Sequence, residues 1–386
     1  MNPLFVVILS MILFIYGEIT YYIGLRGWQF VVATGLKLSA IGYWVLIGLV
    51  AFSFFIARIG DRWLPSWLNH FFEVVGAYWL GIMTYLTMIL LIVEFVGLLN
   101  RRLHFIPTAL ISQPKFTVVI GMAVISLVFI IVSYGWWSAR SPVVVPYEVQ
   151  LNKELGEFQE LNIVMISDMH LGRLVNRKQL ERIAQEIKKL KADLILIPGD
   201  IIDDRVDAFV DQNMMEVFHE LAPPLGIYAS MGNHEYIGGQ VEKAEKYFQE
   251  AGIQVLRDEY IEVADSFYLV GREDKSYERF QGKPRKTLKE ILVDVDKNLP
   301  IIMLDHQPVG VDEAEKEGID IQVSGHTHRG QLFPFRIFTR KIFEVDWGYE
   351  KIGNLHVIVT SGAGTWGPPM RVGHRSEIVH IRLQPQ

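Results

Sequence analysis

Apolar positions in this chain follow two different rules. Up to about residue 140 they come in long runs with few interruptions, and beyond it in short runs of four to seven residues that alternate with polar, amphipathic stretches. A bilayer core of about 30 Å needs on the order of 20 apolar residues per helical span. Four such runs are present: residues 3–23, broken by Glu18; 38–57; 71–99, uncharged from 74 to 93; and 116–139. They predict a four-helix transmembrane region over residues 1–140. Charge agrees, since 12 of the first 140 residues are Asp, Glu, Lys or Arg against 68 of the remaining 246, where a globular domain holds about a quarter. The first run lacks a basic leader and a small-residue cleavage site, so it reads as a span rather than a removable signal. Trp28, Trp63, Trp67, Trp136 and Trp137 sit near the predicted ends, where indole rings favour the headgroup layer.

Four spans put the N-terminus and the C-terminal domain on one side of the cell membrane. Arg58, Arg62, Arg140 and Lys153 fall there, against Arg26, Lys37, Arg101, Arg102 and Lys115 on the other. The excess of one positive residue tilts the multi-pass topology toward an extracytoplasmic C-terminal domain. Glu18 and Glu94 lie in or at the edge of spans, where an ionised carboxylate needs a partner or water. Interfacial placement or pairing with an arginine such as Arg26 is the simpler expectation; a transport pathway is the other.

Residues 141–160, with Pro142 and Pro146, read as an extended linker. From 161 to 386, Val/Ile/Leu-rich strands alternate with helical patterns, as in 161–167, 177–191 and 193–198, an α/β signature. Five of these strands end in polar residues that can bind a cation. They deliver Asp168 and His170, then Asp200 and Asp203, then Asn233, His234 and Glu235, then Asp305 and His306, and last His326 and His328. Loops at the carboxyl ends of strands are where α/β sheets gather their sites. Each piece alone is more often a turn or a cap. All five in order, using five of the nine histidines after residue 140, point to one pocket.

The chain has no cysteine, which excludes zinc thiolate sites and a disulfide scaffold. Imidazole and carboxylate donors suit Mn, Fe or Zn. A carboxylate can bridge two such ions about 3.5 to 4 Å apart, which generate a nucleophilic hydroxide at neutral pH. Gly199, Gly232 and Gly325 beside the donors permit the tight turns such a site needs.

These residues resemble the calcineurin-like metallophosphoesterase superfamily, whose ordered motifs are Asp-x-His, Gly-Asp-x-x-Asp, Gly-Asn-His-Glu, a single His and Gly-His-x-His. The resemblance covers about residues 161–382 and is nearest to a membrane-attached bacterial branch, through the run 324–331 and the tail 364–369. It implies a four-layer α/β sandwich, two mixed β-sheets flanked by helices. It also implies two divalent metal ions, one held by Asp168, His170 and His328 and the other by Asn233, His306 and His326, with Asp200 bridging. The implied reaction is hydrolysis of a phosphoester, a phosphodiester or a lipid-linked pyrophosphate by a metal-bridging hydroxide. His234 would be a catalytic group near the leaving oxygen rather than a ligand, with Asp203 orienting its ring; Asp204 beside it is able to fill either part. Many relatives carry glycine or asparagine where this chain has Arg329.

The expected partners are membrane lipids and a phosphorylated small-molecule or lipid substrate. Nucleic acid is not expected, given the acidic balance of the soluble part. The alternative is a membrane receptor or scaffold whose phosphoesterase-like domain binds metal without turnover, and its mark would be missing ligands. The stretch 271–290 carries seven Lys and Arg against four Asp and Glu. It reads as a solvated loop, with Thr287 and Glu290 in capping-box spacing, or as an anion-binding surface.

Overall fold

The computed structural model describes residues 3–385. Two compact units divide the chain after Gly135. The first unit consists of α1 (Pro3–Thr34), α2 (Ala40–Gly60), α3 (Ser66–Leu103), the single turn α4 (Thr108–Ile111) and most of α5 (Pro114–Arg140). Four of these helices, all but α4, are long and apolar enough to cross a membrane. They outrun the apolar stretches of the sequence because hydropathy marks a bilayer's thickness and not a helix end. α3, for example, continues through Arg101 and Arg102 to the left-handed cap at His104. Gly76 lets α3 approach the backbone of Phe54 in α2, where a Cβ would collide, the close contact that small residues give membrane helices. Glu94 forms an ion pair with Arg26 and accepts a hydrogen bond from Tyr22 at 3.1 Å, so its charge is compensated. Glu18 is exposed and has no ion-pair partner among the described residues.

The second unit begins at Trp136 and therefore includes the last turn of α5. Ser138 donates to the carbonyl of His374 at 2.8 Å, and the Ala139 carbonyl accepts from Gln179 at 3.1 Å and Ser376 at 2.8 Å. Next comes β1 (Val143–Leu151), a strand inside the stretch that the two prolines mark as linker. It is the outermost strand of its sheet, where Pro146 is tolerated because one side of the backbone has no ladder to complete.

The first sheet continues with β2 (Leu161–Met165), β3 (Leu194–Pro198), β4 (Ile227–Ser230) and β5 (Ile253–Val255). The second holds β6 (Glu259–Val263), β7 (Phe267–Gly271), β8 (Ile301–Leu304), β9 (Ile321–Ser324), β10 (Gly348–Ile352) and β11 (Leu355–Val359). β12 (Glu377–Pro385) returns to the first sheet between β1 and β2. The orders are β1-β12-β2-β3-β4-β5 and β10-β11-β9-β8-β7-β6. Both sheets are mixed, parallel in the middle with antiparallel pairs at β12·β2, β6·β7 and β10·β11.

Alternation along the strands builds the layers. Leu194 and Leu196 of β3 pack with Leu269, Ile302, Leu304, Ile321 and Val323 between the sheets. Their neighbours Ile195 and Ile197 pack outward with Leu180, Ile183 and Ile187 of the helix Arg177–Leu190. Both faces of the central strands are covered, so all five residues of β3 are buried, as expected for parallel strands between layers. Burying each such Leu or Ile contributes about 1.5–3 kcal/mol. This rigid sandwich holds the loops that follow β2, β3, β4, β8 and β9.

Candidate metal centre

The loops at the carboxyl ends of those five strands converge. Asp168, His170 and His328 bring one donor atom each to within 4.8 Å of one another, and so do Asp200, His306 and His326. Asn233 joins the second set, its Oδ1 3.2 Å from His306 Nε2 and 2.9 Å from His326 Nδ1. Asp200 lies between the sets, with Oδ2 3.7 Å from His170 Nε2 and 3.2 Å from His306 Nε2. All seven residues singled out in the sequence as ligands thus meet in one place.

The backbone there is unusual. Asp168, His170, Asp200, His326 and His328 all have φ between 46° and 68°, a left-handed region that non-glycine residues seldom adopt and that concentrates at functional sites. Hydrogen bonds hold these conformations. The N–H of His326 donates to the Asp168 carboxylate at 2.9 Å, and the N–H of His234 to Asp200 Oδ1 at 2.9 Å. At Gly325 a Cβ would land on the Asp168 carboxylate, and at Gly232 on that of Asp200. No larger residue fits either place.

Donor chemistry suits divalent cations. His170 Nε2 and His328 Nε2 face each other at 2.9 Å. Burial depresses the pKa of His170 to about 3 and of His326 to about 4, and pushes that of His328 well below the usual range. His170 and His328 in the first set and His326 in the second are thus neutral imidazoles, the form a metal requires. At His306, by contrast, burial is outweighed by the adjacent Asp200 carboxylate, which raises the pKa well above the ordinary imidazole value. His306 donates from Nδ1 to the Pro198 carbonyl at 2.9 Å. That outer contact fixes the tautomer and turns Nε2 toward Asn233 and Asp200. Burial alone would raise the pKa of Asp200, but the His306 and His170 imidazoles outweigh it and hold the carboxylate ionised. The residues therefore fit two cations that share Asp200.

His234 is placed differently. Its ring stands edge-on to His170, 4.5 Å between centroids, and 5.9 Å from the exposed ring of Trp366. Its Nδ1 contacts the carbonyl of Asp203 and lies 3.1 Å from Asp204 Oδ1 and 3.6 Å from Asp203 Oδ1. The nearest carboxylate is thus that of Asp204, while Asp203 adds its carbonyl and a more distant charge. Burial would lower the pKa of His234, but the Asp204 hydrogen bond and the charges of Asp200 and Asp203 lift it to about 9.

Two supporting residues act in ways the sequence does not indicate: Glu235, a candidate cation donor by its position, serves backbone groups instead, and Arg371 carries no mark in the sequence at all. Glu235 is buried and accepts the N–H groups of Asp200, Ile201, Ile202 and Gly232 at 2.8–3.2 Å. Arg371 is fully buried, donating to the Gly364 carbonyl at 2.7 Å and lying 3.3 Å from His328 Nδ1. The tail 362–369 packs on the first donor loop, where Gly364 N–H donates to the Asp168 carbonyl at 3.0 Å. The basic stretch 271–290 is largely spent internally. Arg285 pairs with Asp305 at 3.1 Å, Arg272 with Glu313 at 3.1 Å, and Thr287 and Glu290 close their capping box.

Residues 161–330 match the family described as calcineurin-like phosphoesterase. A zebrafish (Danio rerio) protein named as a transmembrane protein with metallophosphoesterase domain is 31% identical over 346 residues, covering 83% of this chain and 74% of its own length. The chain belongs to the calcineurin-like phosphoesterase family. An Aquifex aeolicus metallophosphoesterase is 33% identical over 241 residues, 62% of this chain and 90% of the relative. Among solved structures, a 5'-nucleotidase precursor from Thermus thermophilus aligns at 14% identity with a TM-score of 0.35, over 58% of this chain and 54% of the other. Two mixed sheets with donor loops at one end are this family's arrangement, and family membership supports a phosphoric ester hydrolase.

Proposed function

We propose that the chain is a membrane-anchored phosphoesterase with two divalent metals, hydrolysing a phosphoester, a phosphodiester or a lipid-linked pyrophosphate. The observation that carries this reading is Asp200 Oδ2, which lies within reach of both donor sets at once. Asp168, His170 and His328 would hold one ion, Asn233, His306 and His326 the other, with Asp200 common to both. Two such ions supply activation of water and charge compensation on phosphoryl oxygens.

The chain's own residues do the rest. His234, lifted to about 9, carries a proton at neutral pH, and Asp203 and Asp204 hold its ring toward the site. As water oxygen adds to phosphorus and the P–O bond breaks, the departing oxygen takes that proton from His234. Trp366, beside His234 and exposed, gives the leaving group an apolar wall. A complete donor set and a retained His234 favour turnover over a receptor that binds metal alone. The four apolar helices support anchoring.

The test is metal-dependent hydrolysis by the purified full-length protein. After metal stripping, Mn should restore turnover of a generic phosphomonoester or phosphodiester. Asp200→Asn should abolish it, and His234→Ala should lower it by about 10²–10⁴-fold without loss of bound metal. Hydrolysis that persists in Asp200→Asn would refute the shared-carboxylate site.

A further inference from the structure

Directly after His328 the chain runs through a segment that no role above explains. Residues 332–343 carry Phe333, Phe335, Ile337, Phe338 and Ile342 as exposed side chains, Phe338 at 60% and Ile342 at 71%. Arg336, Arg340 and Lys341 are interleaved with them, and the segment contains no acidic residue. None of these three cations forms an ion pair among the described residues. Soluble surfaces rarely leave so much contiguous apolar area in water. An apolar face beside cations without carboxylate partners, one of which, Arg336, lies 5.5 Å over the Phe333 ring, is the composition of a segment that lies in the interface of an anionic bilayer.

Contacts within the catalytic unit place this segment. Its Phe333 N–H donates to the Val372 carbonyl at 2.9 Å, and the preceding Gln331 donates to the carbonyls of Trp366 and Pro368, both at 2.9 Å. The same 366–376 loop grips the last turn of α5. Arg140 donates to the Pro369 carbonyl at 3.3 Å, and the Arg375 guanidinium lies 4.9 Å over the ring of Trp137. One loop therefore ties the segment to residues 137–140, the last turn of α5 and part of the same unit. On its inner side the Phe343 ring stands 5.8 Å from that of His326, so the segment borders the metal centre.

We propose that residues 332–343 dock the catalytic unit onto an anionic bilayer surface, with the aromatic and Ile side chains in the acyl boundary and Arg336, Arg340 and Lys341 at lipid phosphates. Docking brings the metal centre to the headgroup layer.

Because the chain lacks cysteine, a single introduced thiol reports position. Full-length protein carrying an environment-sensitive fluorophore at Phe338→Cys would be placed in nanodiscs of phosphatidylcholine, with or without phosphatidylglycerol, that contain nitroxide-labelled acyl chains. A label at Lys246→Cys, on an exposed helix face, is the control. The 338 label should be quenched at least threefold more than the 246 label in anionic discs. Its quenching should weaken in neutral discs and in R336Q/R340Q/K341Q. Equal quenching at the two labels, or quenching at 338 indifferent to both lipid charge and the triple substitution, overturns the proposal; absence of quenching at 338 overturns it too and leaves the surface to a protein partner. The readout needs no turnover, so its outcome is independent of whether the site hydrolyses phosphoesters.

Discussion

Glu235 accepts the backbone N–H of Ile201 at 2.8 Å, tying the loop that carries His234 to the loop that carries Asp200. With Asp200, Ile202 and Gly232 also donating to it, one buried carboxylate sets the shape of two donor loops. Glu235→Ala would leave four N–H groups without that acceptor, each worth about 1–3 kcal/mol when stranded. Partial relaxation should bring the total to several kcal/mol. A large fall in melting temperature together with substoichiometric metal by elemental analysis is the expected result, and Glu235→Gln should retain more of both.

The two carboxylates behind His234 are distinguishable by their effect on its proton. Asp204 makes the hydrogen bond and Asp203 acts at longer range, so Asp204→Asn should lower the His234 pKa further than Asp203→Asn. A higher pKa keeps the acid form to higher pH, so the alkaline limb of the pH–rate profile should move down in Asp204→Asn by more than in Asp203→Asn. Profiles measured at saturating metal decide this, and an unmoved limb in both variants would count against His234 as the proton donor.

Arg329 occupies a left-handed position, φ 50° and ψ 33°, with its guanidinium 3.5 Å over the Trp347 ring. The conformation costs an ordinary residue about 1–2 kcal/mol, and the ring contact returns about 0.5–1 kcal/mol. Arg329→Gly removes both and should shift stability by no more than about 1.5 kcal/mol. Arg329→Val keeps the strain, loses the contact and should destabilise measurably. Paired thermal melts followed by tryptophan fluorescence would separate the two.

His356 reports on acid stability. It is buried on β11, with the Tyr349 hydroxyl 2.9 Å from its Nδ1. Burial, aided by the charge of Lys351, lowers its pKa to about 4. Between the ordinary imidazole value of about 6.5 and 4, the unfolded chain binds a proton that the folded chain refuses, so stability falls as pH drops through that window. In His356→Gln the loss between pH 7 and pH 4.5 should be smaller than in the unsubstituted protein, as measured by melting temperature across that range.

What could be read from the sequence was whatever the chain states locally. Asp168, Asp200, Asn233, His306 and His326 each follow an apolar strand by a few residues, so their convergence was legible once the strands were. Glu235 sits in the same motif, but three of its partners are backbone groups 33–35 residues away, which no side-chain pattern records. Arg371 has no periodicity or spacing to mark it; its meaning comes from the loop that buries it. The strand at 143–151 was hidden because its pairing partner is β12, over 200 residues later, while its prolines advertise a linker. In 332–343 the apolar residues were visible, but their exposure is a property of the folded surface alone.

The position of β12 has a consequence for synthesis. β12 lies between β1 and β2, parallel to one and antiparallel to the other, so the edge strand β1 is cut off from the rest of the first sheet until residues 377–385 leave the ribosome. Up to then β1 and β2 present open edges, the surfaces most prone to wrong pairing. Closure of the donor loops around a metal therefore belongs after β12 has emerged, and a frameshift or stop at codon 377 should yield a chain that carries every donor residue yet never assembles its catalytic unit.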